Sequence, residues 1–137
     1  MIIYLIGFPG SGKLTIAKEL CNIIDGVIVD NNLFNNIIFD MIDFRNAEVT
    51  SEIWEKIFVI RENMLAILEK HHIESKHYIF TNELIKGDYY DQRVYKSVVN
   101  LSKKMNVEIL PVVLYCNSGE LVKRVQSKGR EHERWYE

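Results

Sequence analysis

Residues 7–13 read GFPGSGK and stand between the apolar run MIIYLI of residues 1–6 and a segment whose apolar residues have helical spacing. A G-x4-G-K pattern between a strand and a helix is the context in which such a loop binds phosphates. Its glycines let the backbone wrap so that N–H groups point inward, and the following helix N-terminus adds its positive dipole. Lys13 brings a full positive charge to the outer phosphates. The loop therefore predicts a site for a nucleoside triphosphate, with an ordinary glycine-rich turn as the alternative.

Strand-like runs alternate with helical segments along the chain, which predicts an α/β fold with a mostly parallel sheet. We expect strands at residues 1–6, 27–29, 78–81 and 107–116. The last run is apolar and β-branched enough to be buried on both faces. Pro111 within it requires an edge position, a bulge or a late start, and we expect the regular strand to begin after it.

Helices are predicted between these strands. The first covers residues 16–24, and the last begins at a capping box of Asn117 with Glu120 and ends near Gly129. The second and third should cover the sheet with their apolar faces. The second presents Leu33, Phe34, Ile37, Ile38, Met41 and Ile42. The third presents Ile53, Ile57, Ile60, Met64 and Ile67 and is capped by Thr50 or Ser51. The fourth presents Val94, Val98, Leu101 and Met105 to the core.

Length and composition favour one globular domain over residues 1–137, because 47% of the residues are hydrophobic and 26% are charged. The net charge of -2 argues against a protein whose main task is coating nucleic acid or an anionic membrane. Cys21 and Cys116 are far apart and are expected to be small apolar core residues, which fits a reducing cytoplasm. Residues 1–6 are too short to span a membrane.

Residues 7–15, GFPGSGKLT, resemble the G-x-P-G-x-G-K-x-T variant of the P-loop kinases, which include nucleoside monophosphate kinases and shikimate-kinase-like small kinases. The likeness is specific over the first thirty residues and is weaker but collinear beyond them. It implies a three-layer α/β/α P-loop NTPase fold with strand order 2-3-1-4. It also implies a helical acceptor cap at residues 31–72 and a lid-like helix and tail at residues 117–137. A fifth strand is not evident, so the chain is either naturally short or truncated.

The resemblance implies ATP and Mg²⁺ as cofactors. The residues that it assigns to the nucleotide are Gly7, Pro9, Gly10, Ser11, Gly12, Lys13, Leu14 and Thr15. Leu14 stands where a Ser or Thr usually meets Mg²⁺. Thr15, one position later, is the hydroxyl expected to contact phosphate and metal in this variant.

Asp30 ends the second predicted strand, so in a parallel sheet it lies at the same edge as the phosphate loop. A carboxylate there could accept the proton of an attacking hydroxyl, or hold Mg²⁺ through water. The alternative is an N-cap for the helix that follows. We expect Asp30 to be the general base and a metal ligand.

Arginines near the end of the chain match the place where the resemblance puts a lid that neutralises the transferring phosphoryl group. Arg124 and Arg130 are the two candidates, and a solvated basic face is the alternative. Asn82 and Glu83 follow the third strand, where related kinases carry polar groups near the metal and acceptor, or form an ordinary polar loop. There is no clear hhhhD Walker B pattern.

Other candidates have stronger structural explanations. The aromatic residues Trp54, Tyr89, Tyr90, Trp135 and Tyr136 could stack on a ligand, but packing is their more frequent role. Arg45 and Arg61 either hold an acidic acceptor or lie on an exposed helix face. Residues 71, 72 and 77 are histidines without convincing metal-ligand spacing.

Together these features predict an ATP-dependent kinase that moves the γ-phosphate to a hydroxyl of a small molecule or nucleotide. A nucleotide-binding module that no longer catalyses transfer is the alternative. A kinase of nucleic-acid ends would require a basic groove, which the acidic balance argues against. An exposed edge of the fourth strand would allow a homodimer. No membrane partner is expected.

Overall fold

A computed structural model describes residues 1–43 and 48–126. The strands are β1 (Ile2–Gly7), β2 (Gly26–Asp30), β3 (His77–Asn82) and β4 (Ile109–Leu114). The helices are α1 (Lys13–Cys21), α2 (Asn31–Met41), α3 (Ser51–His71), α4 (Tyr89–Lys104) and α5 (Ser118–Val125).

The four strands form one parallel sheet in the order β2-β3-β1-β4. The register places Tyr4 of β1 between Phe80 of β3 and Pro111 of β4. The α/β fold class and the strand order predicted from the sequence are confirmed. Because all four strands are parallel, their carboxyl ends meet at one edge of the sheet.

Alternate residues of β1 face the two layers of helices, as the two-residue period of a strand requires. Ile2 and Tyr4 pack with residues of α3 and α4 on one side of the sheet. Ile3 and Leu5 pack with Ala17 of α1 on the other side. The central strand is therefore buried on both faces, and it ends directly at the phosphate loop.

The apolar face predicted for α2 is wrong. Leu33, Ile37 and Met41 are 66%, 64% and 81% exposed, and α2 buries Asn35 and Phe39 instead. The side chain of Phe34 lies outside the described part of the chain. The inward row of α2 lines a cavity instead of covering the sheet, so polar residues occupy it.

The buried face of α3 is also rotated from the prediction. Its inward row is Ile57, Arg61 and Leu65, while Ile60 and Ile67 are exposed. A prediction from apolar residues alone places arginine on the exposed face. The predicted buried face is therefore rotated relative to the observed one. Thr50 caps α3 as expected, because its Oγ1 accepts a hydrogen bond from the Ile53 amide at 3.4 Å.

β4 differs from its prediction in two ways. It contains Pro111 instead of beginning after it, and its side chains are not buried on both faces, since Leu110 and Val113 are about half exposed. The edge position, one of the explanations for Pro111, is confirmed. An edge strand has one side without a neighbour, so a missing N–H there breaks no ladder hydrogen bond.

The start of α5 agrees with the sequence only in part. Asn117 is the N-cap, and its Oδ1 accepts from the Gly119 amide at 2.8 Å. Glu120 accepts from Arg124 instead of closing a reciprocal capping box. The predicted helix end at Gly129 lies outside the described residues.

Within the described residues, no helix combines the length and apolarity needed to cross a membrane.

Candidate functional site

The loop between β1 and α1 has the backbone shape that its glycines permit. Gly10 and Gly12 have φ angles of 81° and 89°, in the left-handed region that a side chain disfavours. Gly12 is the N-cap of α1, and a Cβ added there would meet nothing within 4 Å. A side chain at position 12 would therefore be strained by the backbone conformation and not by contact with a neighbour.

Glycine is required at position 7 for a different reason, because other residues of the chain lie very close to it. A Cβ at Gly7 would lie 2.6 Å from Ser11 Oγ and 3.0 Å from the Leu114 carbonyl oxygen. The phosphate loop thus folds back tightly on the end of β1 and beside the end of β4.

Lys13 is buried at the start of α1. Its Nζ donates to the carbonyl oxygens of Gly7 at 2.8 Å and Phe8 at 3.0 Å. These bonds hold the ammonium group across the loop. A positive charge is therefore already inside the loop where phosphate oxygens would lie.

The other loop residues fit a phosphate group. Ser11 is buried, and its Oγ has no hydrogen-bond partner among the described residues. An unsatisfied hydroxyl of this kind is stabilised by an oxyanion. Thr15 is exposed on the first turn of α1, and Leu14 is partly buried. Mg²⁺ keeps several waters and phosphate oxygens as ligands, so the single hydroxyl of Thr15 fits its requirement.

Asp30 lies at the carboxyl end of β2, opposite Thr81 in the register. Its Oδ1 accepts from the Thr81 hydroxyl at 2.7 Å and from the Asn32 amide at 3.3 Å. It is the N-cap of α2, so that interpretation of Asp30 is confirmed. Its roles as general base and metal ligand stay predictions.

Arg124 brings α5 to the phosphate loop. Its Nη1 donates to the Gly10 carbonyl oxygen at 3.5 Å, and its Nε donates to Glu120 at 2.8 Å. The bond to Glu120, and then the proximity of Cys116, raise the pKa of this guanidinium. Four further residues that the sequence analysis named lie outside the described ranges: Arg45, Arg130, Trp135 and Tyr136.

A cavity of about 560 Å³ opens beside the loop, which is a size typical of small-molecule sites. Lys13 and Pro9 form its wall on the loop side, and α2, α3 and the start of α4 form the rest. The residues from α2 and α3 that line it are Asn31, Asn32, Asn35, Phe39, Ser51, Trp54, Glu55 and Arg61. Those from β3, α4 and the segment between them are Thr81, Asn82, Glu83, Ile85, Asp88, Tyr89, Tyr90, Asp91 and Val94.

Arg61 lies in this wall and is only 5% exposed, so the exposed-face interpretation of it is wrong. Its Nη2 donates to Asn31 Oδ1. Burial lowers the pKa of Arg61, while Tyr90 and Tyr4 oppose that shift. The same burial raises the pKa of Tyr90, and Arg61 opposes it. Arg61 thus connects the start of α2 to the start of α4.

The aromatic side chains of the wall pack against one another. Trp54 contacts Phe39 with ring centroids 5.5 Å apart, and it contacts Tyr90 at 5.3 Å. Packing is therefore a confirmed role for Trp54 and Tyr90, although both rings also line the cavity. Tyr89 lies at the rim and is largely exposed.

Two buried amide side chains lie in the wall, of which the sequence analysis named Asn82 and missed Asn35. Asn82 ends β3 and is buried, so it is not part of an ordinary polar loop, whereas the neighbouring Glu83 is exposed. Asn35 is buried in the middle of α2, in a row with Asn31 and Phe39 at a spacing of four residues. The four-residue spacing of Asn31 and Asn35 is the one sequence signal that could have found this polar face.

No protein-family model matches the chain, and no curated protein sequence matches it. Solved structures do match. The crystal structure of APE1195 has a TM-score of 0.58 at 16% identity, over 96% of this chain and 68% of that chain. A chain in the structure of a Pnkp1/Rnl/Hen1 complex has a TM-score of 0.57 at 22% identity, over 93% of this chain. This chain spans 39% of that one.

Shikimate kinase from Bacteroides thetaiotaomicron also matches, with a TM-score of 0.40 at 11% identity, over 92% of this chain and 94% of that chain. At these identities, the first two matches establish a shared fold. Together with the sheet order and the loop between β1 and α1, they are consistent with a P-loop NTPase-like α/β fold.

Proposed function

We propose that the chain is an ATP-dependent phosphotransferase that moves the γ-phosphate of ATP to a hydroxyl of an acceptor bound in the cavity. The observation that carries this proposal is the position of Lys13. It belongs to the phosphate loop and also forms part of the cavity wall. A triphosphate on the loop would therefore have its outer phosphate next to an acceptor in the cavity.

The reaction is an in-line displacement at phosphorus. The acceptor oxygen forms a bond to the γ-phosphorus, the bond from that phosphorus to the β–γ bridging oxygen breaks, and ADP leaves. The proton of the acceptor hydroxyl passes to a base. Such transfers depend mainly on positioning and charge neutralisation.

The residues of this chain divide those tasks. The loop amides, Ser11 and Lys13 bind the phosphates, with Thr15 at the outer side of the loop. Arg124, whose guanidinium reaches Gly10, neutralises charge on the transferring group. Arg130 is the second predicted residue for that task. Thr15 with Asp30 would hold Mg²⁺, which when bound would neutralise phosphate charge.

Asp30 is the proposed base. Its neighbours Asn31 and Thr81 both line the cavity, so its carboxylate lies directly behind that wall. The bonds from Thr81 and the Asn32 amide fix its orientation. From behind that wall the carboxylate would accept the hydroxyl proton through one water molecule.

The direct test compares wild type with Lys13→Ala in Mg²⁺-ATP and a panel of hydroxyl acceptors. Lys18→Ala is the matched control, because Lys18 is exposed on the same helix. We expect wild type and Lys18→Ala to release ADP with one acceptor class. Lys13→Ala should lose about 10²-fold or more of that rate. Equal rates in the two variants would contradict the proposal.

A nucleotide-binding module without transfer is the second candidate. It is favoured by the two hydrogen bonds that already engage Asp30, one of them as the cap of α2, and by Leu14 at the usual metal position. This candidate predicts ATP-dependent stabilisation of the fold with no ADP release on any acceptor.

A further inference from the structure

Two buried amide oxygens line the cavity without a donor. Asn35 and Asn82 are 8% and 3% exposed, and the Oδ1 of each has no hydrogen-bond partner among the described residues. Buried acceptors without donors are costly, and natural sites retain them where a ligand or water supplies the donor. The terminal torsion of an asparagine is broad, so a small rotation turns either oxygen toward the cavity. The cavity therefore needs a ligand that brings N–H or O–H groups.

The charges of the cavity oppose an anionic acceptor. Its carboxylates are those of Glu55, Glu83, Asp88 and Asp91, and its cations are Lys13 and Arg61. Lys13 is directed to the phosphate loop, whose carbonyls it contacts. Arg61 donates to Asn31 of α2 and lies beside Tyr90 of α4, so it holds these two sides of the cavity together. Glu55 is paired with Arg93, so the other three carboxylates of the lining are set against its two cations, and this excess disfavours a phosphate or carboxylate on the acceptor.

The remaining lining favours a ring. Trp54, Phe39 and Tyr89 contribute aromatic surface to the same cavity that holds Asn35 and Asn82. Aromatic side chains bind flat or chair-shaped rings by apolar contact, while the amides select for polar groups at the ring edge.

Resting on the proposed function, we infer that the acceptor is an unphosphorylated ring compound with several hydroxyl or amino groups. Its donors bind Asn35 and Asn82, and its ring packs on Trp54. A nucleoside and an amino sugar both have this chemistry. In either case a ring hydroxyl that reaches Lys13 is the group that receives the phosphate.

The test measures acceptor binding to the full chain by calorimetry, separately from ATP turnover. The probes are the four ribonucleosides and glucosamine, each paired with its monophosphate. We expect one unphosphorylated family to bind roughly tenfold or more tightly than its phosphorylated counterpart. Whether nucleosides or glucosamine bind identifies the source of the ring.

Three variants connect that binding to the proposed contacts. Asn35→Leu and Asn82→Leu should each weaken binding of the unphosphorylated probe roughly tenfold, by loss of one hydrogen bond, while Mg²⁺-ATP affinity stays the same. An apolar side chain of similar size at these positions should not destabilise the fold. Asn100→Leu, on an exposed position of α4, is the control and should leave both affinities unchanged.

Tighter binding of the monophosphates would overturn the inference, and so would binding of neither family, or unchanged probe affinity in the two leucine variants. Those results are separate from a failure of the proposed function, which would appear as no Lys13-dependent ADP release. ADP release with phosphorylated acceptors alone would keep the kinase and reject this acceptor class.

Discussion

Tyr4 illustrates how a polar atom is held inside an apolar sheet. It is fully buried in β1, its ring stacks on Tyr95 at 5.9 Å, and it meets Phe80 edge-on. Its hydroxyl has no hydrogen-bond partner among residues 1–43 and 48–126. Burial raises its pKa far above the ordinary value, although Arg61 opposes the shift.

Tyr4→Phe is therefore expected to stabilise the protein. Removing an unsatisfied hydroxyl should raise the free energy of unfolding by about 1 kcal/mol, while the ring contacts remain. Urea denaturation of both proteins measures this difference. Tyr95→Phe, at a partly exposed position, is the control and should change stability by less. A less stable Tyr4→Phe protein would mean that the hydroxyl contributes a favourable bond.

Asp91 gives a pH dependence with a definite sign. Burial raises its pKa above the ordinary 3.8, although the hydrogen bond from the Ile85 amide opposes this. The folded state then binds the proton more tightly than the unfolded state, so this stabilisation is complete below about pH 3.8 and decreases as pH rises through the folded pKa. The stability of wild type relative to Asp91→Asn should fall over that window. Denaturation of both proteins from pH 3 to 7 tests it, and a difference that grows with pH would contradict it.

At the level of elements, two atoms close to Gly7 exclude a side chain at the start of the phosphate loop. Gly7→Ala would press a methyl group onto Ser11 Oγ and the Leu114 carbonyl. We expect a loss of about 1–3 kcal/mol of stability from this overpacking, and weaker Mg²⁺-ATP binding because the loop must shift. Denaturation and calorimetry measure the two effects.

Gly26→Ala is the matched control for that substitution. Its added Cβ would approach the Cys21 and Ile79 side chains, at 3.0 and 3.1 Å, on the far end of the sheet from the loop. It should lower stability without changing nucleotide affinity. Equal loss of affinity in both variants would mean that the effect comes from general destabilisation.

These elements show which parts of the fold could be predicted from the sequence and which could not. The loop follows from a short pattern, because glycine spacing is a local property, whereas the strand order was implied by the resemblance to P-loop kinases. The rotations of α2 and α3 depend on a cavity that the helices form together. Asn35 and Arg61 therefore face inward where an apolar count places Ile37 and Ile60.

At the start of α4, the sequence named Tyr89 and Tyr90 as possible ligand contacts but missed Asp88 and Asp91. Asp88 caps the helix, and its first turn brings Tyr89, Tyr90 and Asp91 to the cavity. Only the packing of α4 against α3 shows that this turn shares a wall with the acceptor side. Arg124 was named because the resemblance implies an arginine-bearing lid; its Nη1 contacts the Gly10 carbonyl oxygen, and its role stays a prediction.

On the scale of the whole molecule, no strand of residues 1–43 and 48–126 pairs with the outer side of β4. Leu110 and Val113 are exposed there, which favours pairing with a second copy as the sequence predicts. Pro111 removes one donor from the strand and opposes such pairing. We therefore expect weak self-association, at about tens of micromolar.

Sedimentation velocity across the micromolar range measures this association. Pro111→Val should strengthen it by restoring an N–H group, and Val113→Lys should abolish it by placing a charge at the edge. Asn100→Lys adds a charge at an exposed position of α4 and should have no effect. A single monomeric species for all four proteins would reject pairing through β4.

The bonds from Lys13 to Gly7 and Phe8 have a consequence for the timing of a catalytic cycle. Under the proposed function, phosphate oxygens would replace main-chain oxygens as partners of an ammonium group that already lies inside the loop. Little conformational entropy would then be lost when the nucleotide binds, and the phosphate loop would keep its shape when the product dissociates. Turnover would be limited by events at the acceptor side of the cavity and not by rebuilding of the loop.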